Sequence, residues 1–204
     1  MLVKYIYPPR PEKKIPRSSL DKFDNGTFMC EPKFNGSCAE IYIDESVKVM
    51  NRHNSLLSGV KLDEKELRSV FPVNDGIYVG EYMNKSKKDK NGNIFNHKFI
   101  MFDIIAYNGL HLLGKTFAER YDMLFGMFDI IDEDDLIYKI TENIYLTKKF
   151  ECDFCKIWDH IIKIDMIEGL VLKQKNSKLT QGISPKNNFL CQIKCRRETK
   201  NYGY

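Results

Sequence analysis

From Thr27 onward, apolar and polar positions alternate in short runs at 27–33, 38–43, 46–51, 77–82, 98–106, 143–148, 167–173 and 189–196. A period of two puts apolar side chains on one face of an extended strand, so these runs predict a sheet-rich structure. Helical patterns interrupt them. Asp63 followed by Glu66 has the form of a capping box and opens a helix to about Val70. Thr116 with Glu119 repeats the device ahead of an apolar face of Phe117, Tyr121, Leu124, Phe125 and Phe128. Asp153 stands where it would cap a third helix, with Phe154, Ile157, Ile161 and Ile162 inward and Trp158 nearby. Pro8, Pro9, Pro11 and Pro16 exclude regular helix and central strand, so residues 1–22 read as an extended lead packed across a surface. The Lys-, Asn- and Gly-rich stretch 84–96 reads as a mobile loop. The fold class expected is α+β: one antiparallel-rich domain over residues 1–204, with no internal repeat.

Composition narrows the setting. With 43% hydrophobic and 29% charged residues, the 204-residue chain has the balance of a soluble globular protein. The stretch Phe99–Ala106 is too short to span a bilayer and contains Asp103, and the first residues lack a signal-peptide pattern. A cytoplasmic or similarly reducing compartment, without a membrane partner, is therefore expected. The lysine- and asparagine-rich, alanine-poor composition suggests an AT-rich genome such as that of a virus, which would make the compartment a host cytoplasm.

A net charge of +4 permits a nucleic-acid or nucleotide partner without requiring one. Basic residues gather at 4–22, 85–98 and 173–200, while Asp132, Glu133, Asp134 and Asp135 form an acidic knot. The lysines at 85, 87, 88 and 90 read either as a grip on nucleic acid or as a solvated loop. Cys152 and Cys155 have metal-ligand spacing, but Cys191 and Cys195 lie in an alternating run. Four strand residues span roughly 13 Å, too far for two thiolates to share one zinc, so reduced thiols are the better reading.

The segment Glu31-Pro-Lys-Phe-Asn-Gly36 ends a predicted strand with a lysine followed by a turn. Glycine there lets the chain fold tightly beside a ligand, although an ordinary turn has the same form. Further along stand VKVMNRHN, YVGEYM, FIMFDII, EGLVLK and QIKCR. On the last, Lys194 and Arg196 lie two apart on a strand and so share a face.

In order and spacing, these six segments resemble the covalent nucleotidyltransferase superfamily of ATP-dependent polynucleotide ligases and capping enzymes. The resemblance implies an ATP-grasp-like nucleotidyltransferase domain, with Lys33 as the nucleophile that takes up AMP. It assigns Lys194 and Arg196 to the α-phosphate. Glu81 would bind the ribose hydroxyls, and Phe102 would stack on adenine or else belong to the core. Arg52 would hold the ribose or the receiving strand's phosphate. Glu168 is the implied ligand of magnesium or manganese, and Glu31, Pro32, Asn35 and Gly36 complete the nucleotide site. A lysine amine titrates near 10.4, and attack at neutral pH asks for about 4 kcal/mol against its charged form, which nearby cations and a metal supply.

The implied reaction uses ATP to activate a 5′-phosphate end of DNA or RNA, which a 3′-hydroxyl then seals. The alternatives are GTP-dependent RNA capping and an inactive nucleic-acid-binding relative. Some positions depart from the family pattern. Asn35 stands where Asp is usual, and Cys38 where many DNA ligases carry Arg. Glu168 before Gly169, where capping enzymes have Asp, favours the ligase branch. No OB-fold with a sixth, basic motif is evident, so either the chain acts alone or a partner protein or domain completes it.

Overall fold

The computed structural model describes residues 5–72, 76–180 and 191–197. Their elements run β1 (Lys13–Ile15), a 3₁₀ turn (Arg17–Lys22), β2 (Phe28–Phe34), β3 (Ser37–Ile43), β4 (Val47–Asn51), α1 (Glu64–Val70) and β5 (Gly76–Met83). There follow β6 (Lys87–Lys88), β7 (Ile94–Phe95), β8 (Lys98–Tyr107), β9 (Leu110–His111), α2 (Phe117–Met127) and β10 (Asp132–Glu133). The last are β11 (Ile137–Lys139), β12 (Ile144–Thr147), α3 (Phe154–Ile161), β13 (Ile167–Gln174) and β14 (Gln192–Arg196). Each alternating run contains a strand, and residues 189 and 190 of the last run lie outside the described residues.

The strands form a small sheet in the order β1-β14-β13-β2 and a large one in the order β10-β11-β12-β8-β5-β3-β4, with β9 on β8. Among the described residues only β1 with β14 and β12 with β8 pair parallel. The sheets differ in burial. β5 and β8 are buried along most of their length on both faces, whereas β14 alternates from Ile193 and β13 leaves Glu168 and Val171 only half-buried. The small sheet therefore has one face in the core and one free for chemistry.

Three apolar clusters fix this arrangement. One joins Ile41, Tyr78 and Phe99 of the large sheet to Leu67 of α1 and to Phe117, Tyr121 and Leu124 of α2. The second packs Cys30, Leu170, Leu172 and Ile193, the rear of the small sheet, against Phe154, Trp158 and Ile161 of α3. The third sets Ile6 and Leu179 on Tyr42, Ile77 and Val79 of the large sheet. Phe99 is fully buried in the first, where truncation to alanine costs about 3–5 kcal/mol.

Several local expectations are corrected. The capping box of α2 forms as expected. At α1, Asp63 Oδ1 accepts from the Lys65 N–H at 3.1 Å, but Glu66 turns away. Its carboxylate accepts from Asn143 Nδ2 at 3.0 Å and from the Thr141 hydroxyl, tying α1 to the approach to β12. Asp153 precedes α3 in a left-handed conformation without capping it, and Asp24 accepts from the Phe154 N–H at 3.2 Å instead. Phe125, expected inward, is 44% exposed.

The stretch 84–96 forms the β6–β7 hairpin. Its turn is organised by Asp89 Oδ1, which accepts from the N–H groups of Asn91 and Asn93, both at 2.9 Å. Lys87 and Lys90 are engaged by Asp165 and Asp135. The proline-rich lead does more than cross a surface: Ile6 and Tyr7 are buried, and β1 extends the small sheet. Among the described residues, no helix is long and apolar enough to cross a membrane.

Candidate active site

Strand register builds one wall of the site. Lys33 lies opposite Gly169, and Gly169 opposite Arg196; in the next row Glu31 meets Val171, and Val171 meets Lys194. Side chains two apart on a strand share a face, so these rows place Lys33, Lys194 and Arg196 on the free face of the small sheet. Gly169 is required at the centre. A Cβ there would collide with the Cys195 carbonyl and lie 2.7 Å from both Arg196 Cα and the Trp158 ring. A register shift between Ile167 and Gly169 leaves Glu168 without a partner across β2. Its Oε2 lies 2.8 Å from Lys33 Nζ and 4.0 Å from Arg196 Nη1.

The large sheet supplies the facing wall. The Gly36 N–H donates to Glu81 Oε1 at 3.0 Å, binding the turn after Lys33 to β5. Only glycine permits this approach, because a Cβ would stand 2.5 Å from the Tyr82 carbonyl oxygen. Burial pushes the Glu81 carboxyl up to about 7, against the opposing influence of Lys33 and the Gly36 N–H. Arg52, the residue after β4, donates from Nε to His53 Nε2 at 3.2 Å, and its carbonyl accepts from the Tyr5 hydroxyl at 2.6 Å. Phe102, half-buried on β8, presents its ring to the same space.

Between the walls lies a cleft of about 700 Å³. Of the residues singled out in the sequence, Glu31, Pro32, Lys33, Gly36, Arg52, Glu81, Phe102, Glu168, Lys194 and Arg196 all line it. Asn35 does not: its N–H donates to the Met166 carbonyl at 2.9 Å, and the residue helps to shape the turn.

Two lining cations escaped the sequence reading. Lys173 is buried and pairs with Glu31 at 2.6 Å. It also donates to the Phe102 carbonyl at 3.1 Å and lies 4.7 Å from that ring's centroid. Among the described residues Glu31 Oε1 keeps no partner, and burial holds the carboxyl up at about 7 despite Lys173. The signal was present, since Lys173 follows Gly169 and Val171 at strand spacing, but one charge ending an apolar run also suits a solvated strand end. The other is Arg10, from the lead.

Burial first, then Arg196, Lys33 and Arg10, lower the Lys194 ammonium from its ordinary value, opposed by Glu12. Among the described residues, no three His, Cys, Asp or Glu side chains gather as a metal-binding group. Glu168 nevertheless offers a hard carboxylate in a cleft of cations, a donor that suits magnesium when phosphate oxygens and water complete its shell.

No family model matches the sequence, and no curated protein matches it. Solved structures do. A mycobacterial DNA ligase D complexed with ATP and MES is 14% identical with a TM-score of 0.54, over 83% of this chain and 54% of that one. A Lig E DNA ligase is 14% identical with a TM-score of 0.56, over 96% and 70%. The Chlorella virus DNA ligase-adenylate is 11% identical with a TM-score of 0.52, over 93% and 68%. The chain thus spans about half the length of that ligase D. With its mixed, sheet-rich architecture, this chain has the fold of the DNA ligase nucleotidyltransferase domains.

Proposed function

We propose that the chain is an ATP-dependent polynucleotide ligase, with an ATP-grasp-like nucleotidyltransferase site that acts through a covalent lysine–AMP intermediate. The observation that carries this reading is the row Lys33, Gly169, Arg196 with Glu168 beside it, facing Glu81 across one cleft. In the resting site Lys33 is the ion-pair partner of Glu168, so that pair opens before the amine attacks. The ammonium gives one proton to solvent to become the free amine; Lys33 Nζ then forms a bond to the α-phosphorus of ATP while the bond to pyrophosphate breaks, and the nitrogen loses a second proton to solvent. Lys194 and Arg196 hold the phosphate charge, and Glu81 receives the ribose hydroxyls.

Glu31 Oε1, a buried acceptor without a partner among the described residues, suits the exocyclic amine of adenine; guanine offers an acceptor at the equivalent edge. Glu168 would hold magnesium or manganese, which would neutralise phosphate charge. AMP next passes to a 5′-phosphate end, and a 3′-hydroxyl displaces it to seal the strand. Positioning and charge carry the reaction more than acid–base work. A nucleic acid is the partner, and the cytoplasm is the proposed compartment.

The test is incubation with magnesium and α-labelled ATP or GTP, followed by a denaturing gel. Label from ATP that survives denaturation and disappears in Lys33→Ala is expected. Label from GTP would move the protein to RNA capping, and absence of label from both would leave a non-catalytic binding protein.

A further inference from the structure

Residues 8–11 read Pro-Pro-Arg-Pro and form part of the cleft wall. Prolines on both sides leave Arg10 little backbone freedom, because a residue before proline is confined to extended conformations. The segment is anchored at each end. Ile6 and Tyr7 are buried, and Lys194 Nζ donates to the Pro11 carbonyl at 3.1 Å before β1 joins β14. The Arg10 side chain is held too: its guanidinium lies over the Tyr7 ring, 5.6 Å from the centroid, and pairs with Glu12. Its Nε is nonetheless buried and, among the described residues, without a hydrogen-bond partner, and so is Nε of Arg196 in the same cleft.

Resting on the reading of this cleft as a nucleotide site, we infer that Arg10 is a phosphate-binding residue of it, with Glu12 as the internal counter-ion that a phosphate displaces. Buried N–H groups are normally satisfied, and guanidinium N–H groups match phosphate oxygens in pairs. Two unsatisfied guanidinium N–H groups on one cleft therefore point to an oxyanion. The charge balance agrees. Arg10 is one of the cations that, together with burial, lower Lys194, so Arg10, Lys33, Lys194 and Arg196 are close enough to repel. A phosphate relieves that repulsion, whereas a neutral ligand does not. The phosphate belongs either to the nucleotide or to the 5′ end of the nucleic acid.

The experiment measures calorimetric affinities for α,β-methylene ATP and for a 5′-phosphorylated oligonucleotide beside its 5′-hydroxyl twin. Arg10→Gln is expected to weaken one of these phosphate ligands at least tenfold, and Arg10→Lys to recover part of the loss, since it keeps the charge but not the fork. Glu12→Gln should tighten the same ligand about threefold and change nothing in an Arg10→Gln background, a coupling that a structural role would not produce. Loss confined to the ATP analogue assigns the nucleotide's phosphate; loss confined to the phosphorylated oligonucleotide assigns the strand end. Should Arg10→Gln fail to fold, Arg10→Lys and Glu12→Gln carry the same comparison. Unchanged affinities in a wild type that binds ATP and labels Lys33 overturn the role of Arg10 alone. A wild type that binds neither ligand overturns the nucleotide reading and Arg10 with it.

Discussion

Two buried ion pairs lie on either side of the line between structure and chemistry. Arg120 and Asp103 join α2 to β8 through two hydrogen bonds of 2.8 and 2.9 Å. Arg120 Nη1 also donates to the Lys115 carbonyl, and Asp103 Oδ1 accepts from the Ile104 N–H, both at 2.9 Å. Lys173 and Glu31 are as deeply buried, yet Glu31 Oε1 has no partner among the described residues, and the pair borders the cleft. The first pair is close to saturated and has nothing to offer a ligand. The second holds an oxygen in reserve, and that is the mark of a group awaiting a donor. Glu40 gives a third case, a fully buried carboxyl with no cation beside it among the described residues. The Tyr42 hydroxyl donates to its Oε2 at 3.1 Å, and burial pushes it up to about 8.

The largest effect expected from this contrast is at the saturated pair. Asp103→Asn should lower stability by about 3–5 kcal/mol in chemical denaturation, because Arg120 is left buried without its charge partner. Nucleotide affinity per folded molecule should stay the same, and a selective loss of affinity would break the contrast.

Next in size is Glu40. Its folded value lies above the ordinary 4.5 of a carboxyl, so its contribution is fully present below 4.5 and is lost as pH rises through about 8. Glu40→Gln should therefore leave stability near that of the wild type at pH 4.5 and exceed it at pH 8.5, the gap growing by about 1.4 kcal/mol per pH unit between 4.5 and 8. Equal pH profiles for the two proteins would show that Glu40 is ionised in the fold.

The smallest effect on stability belongs to the reserved oxygen. Burial already holds the Glu31 carboxyl up at about 7, so its charge is disfavoured in the fold, and Glu31→Gln, which keeps an oxygen for Lys173, should cost less than about 1.5 kcal/mol. The affinity for an ATP analogue should nevertheless fall about tenfold, roughly 1.4 kcal/mol, as titration calorimetry would read. A large stability loss with unchanged affinity would place this pair beside Arg120 and Asp103.

Much of the fold was legible because strand alternation is local: β2, β3, β5, β8 and β13 each fall within a residue or two of a predicted run. The capping box at Thr116 was legible for the same reason. Apart from Phe125, the misjudged helix caps and loop share one cause, a polar side chain that takes a distant partner. Glu66 bonds residues near β12 instead of its own helix start, and Asp24 replaces Asp153 as the cap of α3. The 84–96 segment is tied down by Asp165 and Asp135, which its own composition cannot show.

The site divides in the same way. The sequence by itself determined which residue types stand at which strand positions, that Lys194 and Arg196 share a face, and that glycines follow Lys33 and Glu168. Only the tertiary structure decided that Lys33 meets Gly169 and Arg196 in one row, that Glu31 takes Lys173 and keeps one oxygen free, and that Arg10 joins the cleft while Asn35 does not. Strand positions follow from a two-residue period within one segment. Register and ion-pair choice depend on segments far apart in the chain, and their pairing is fixed by the burial of both sheets together.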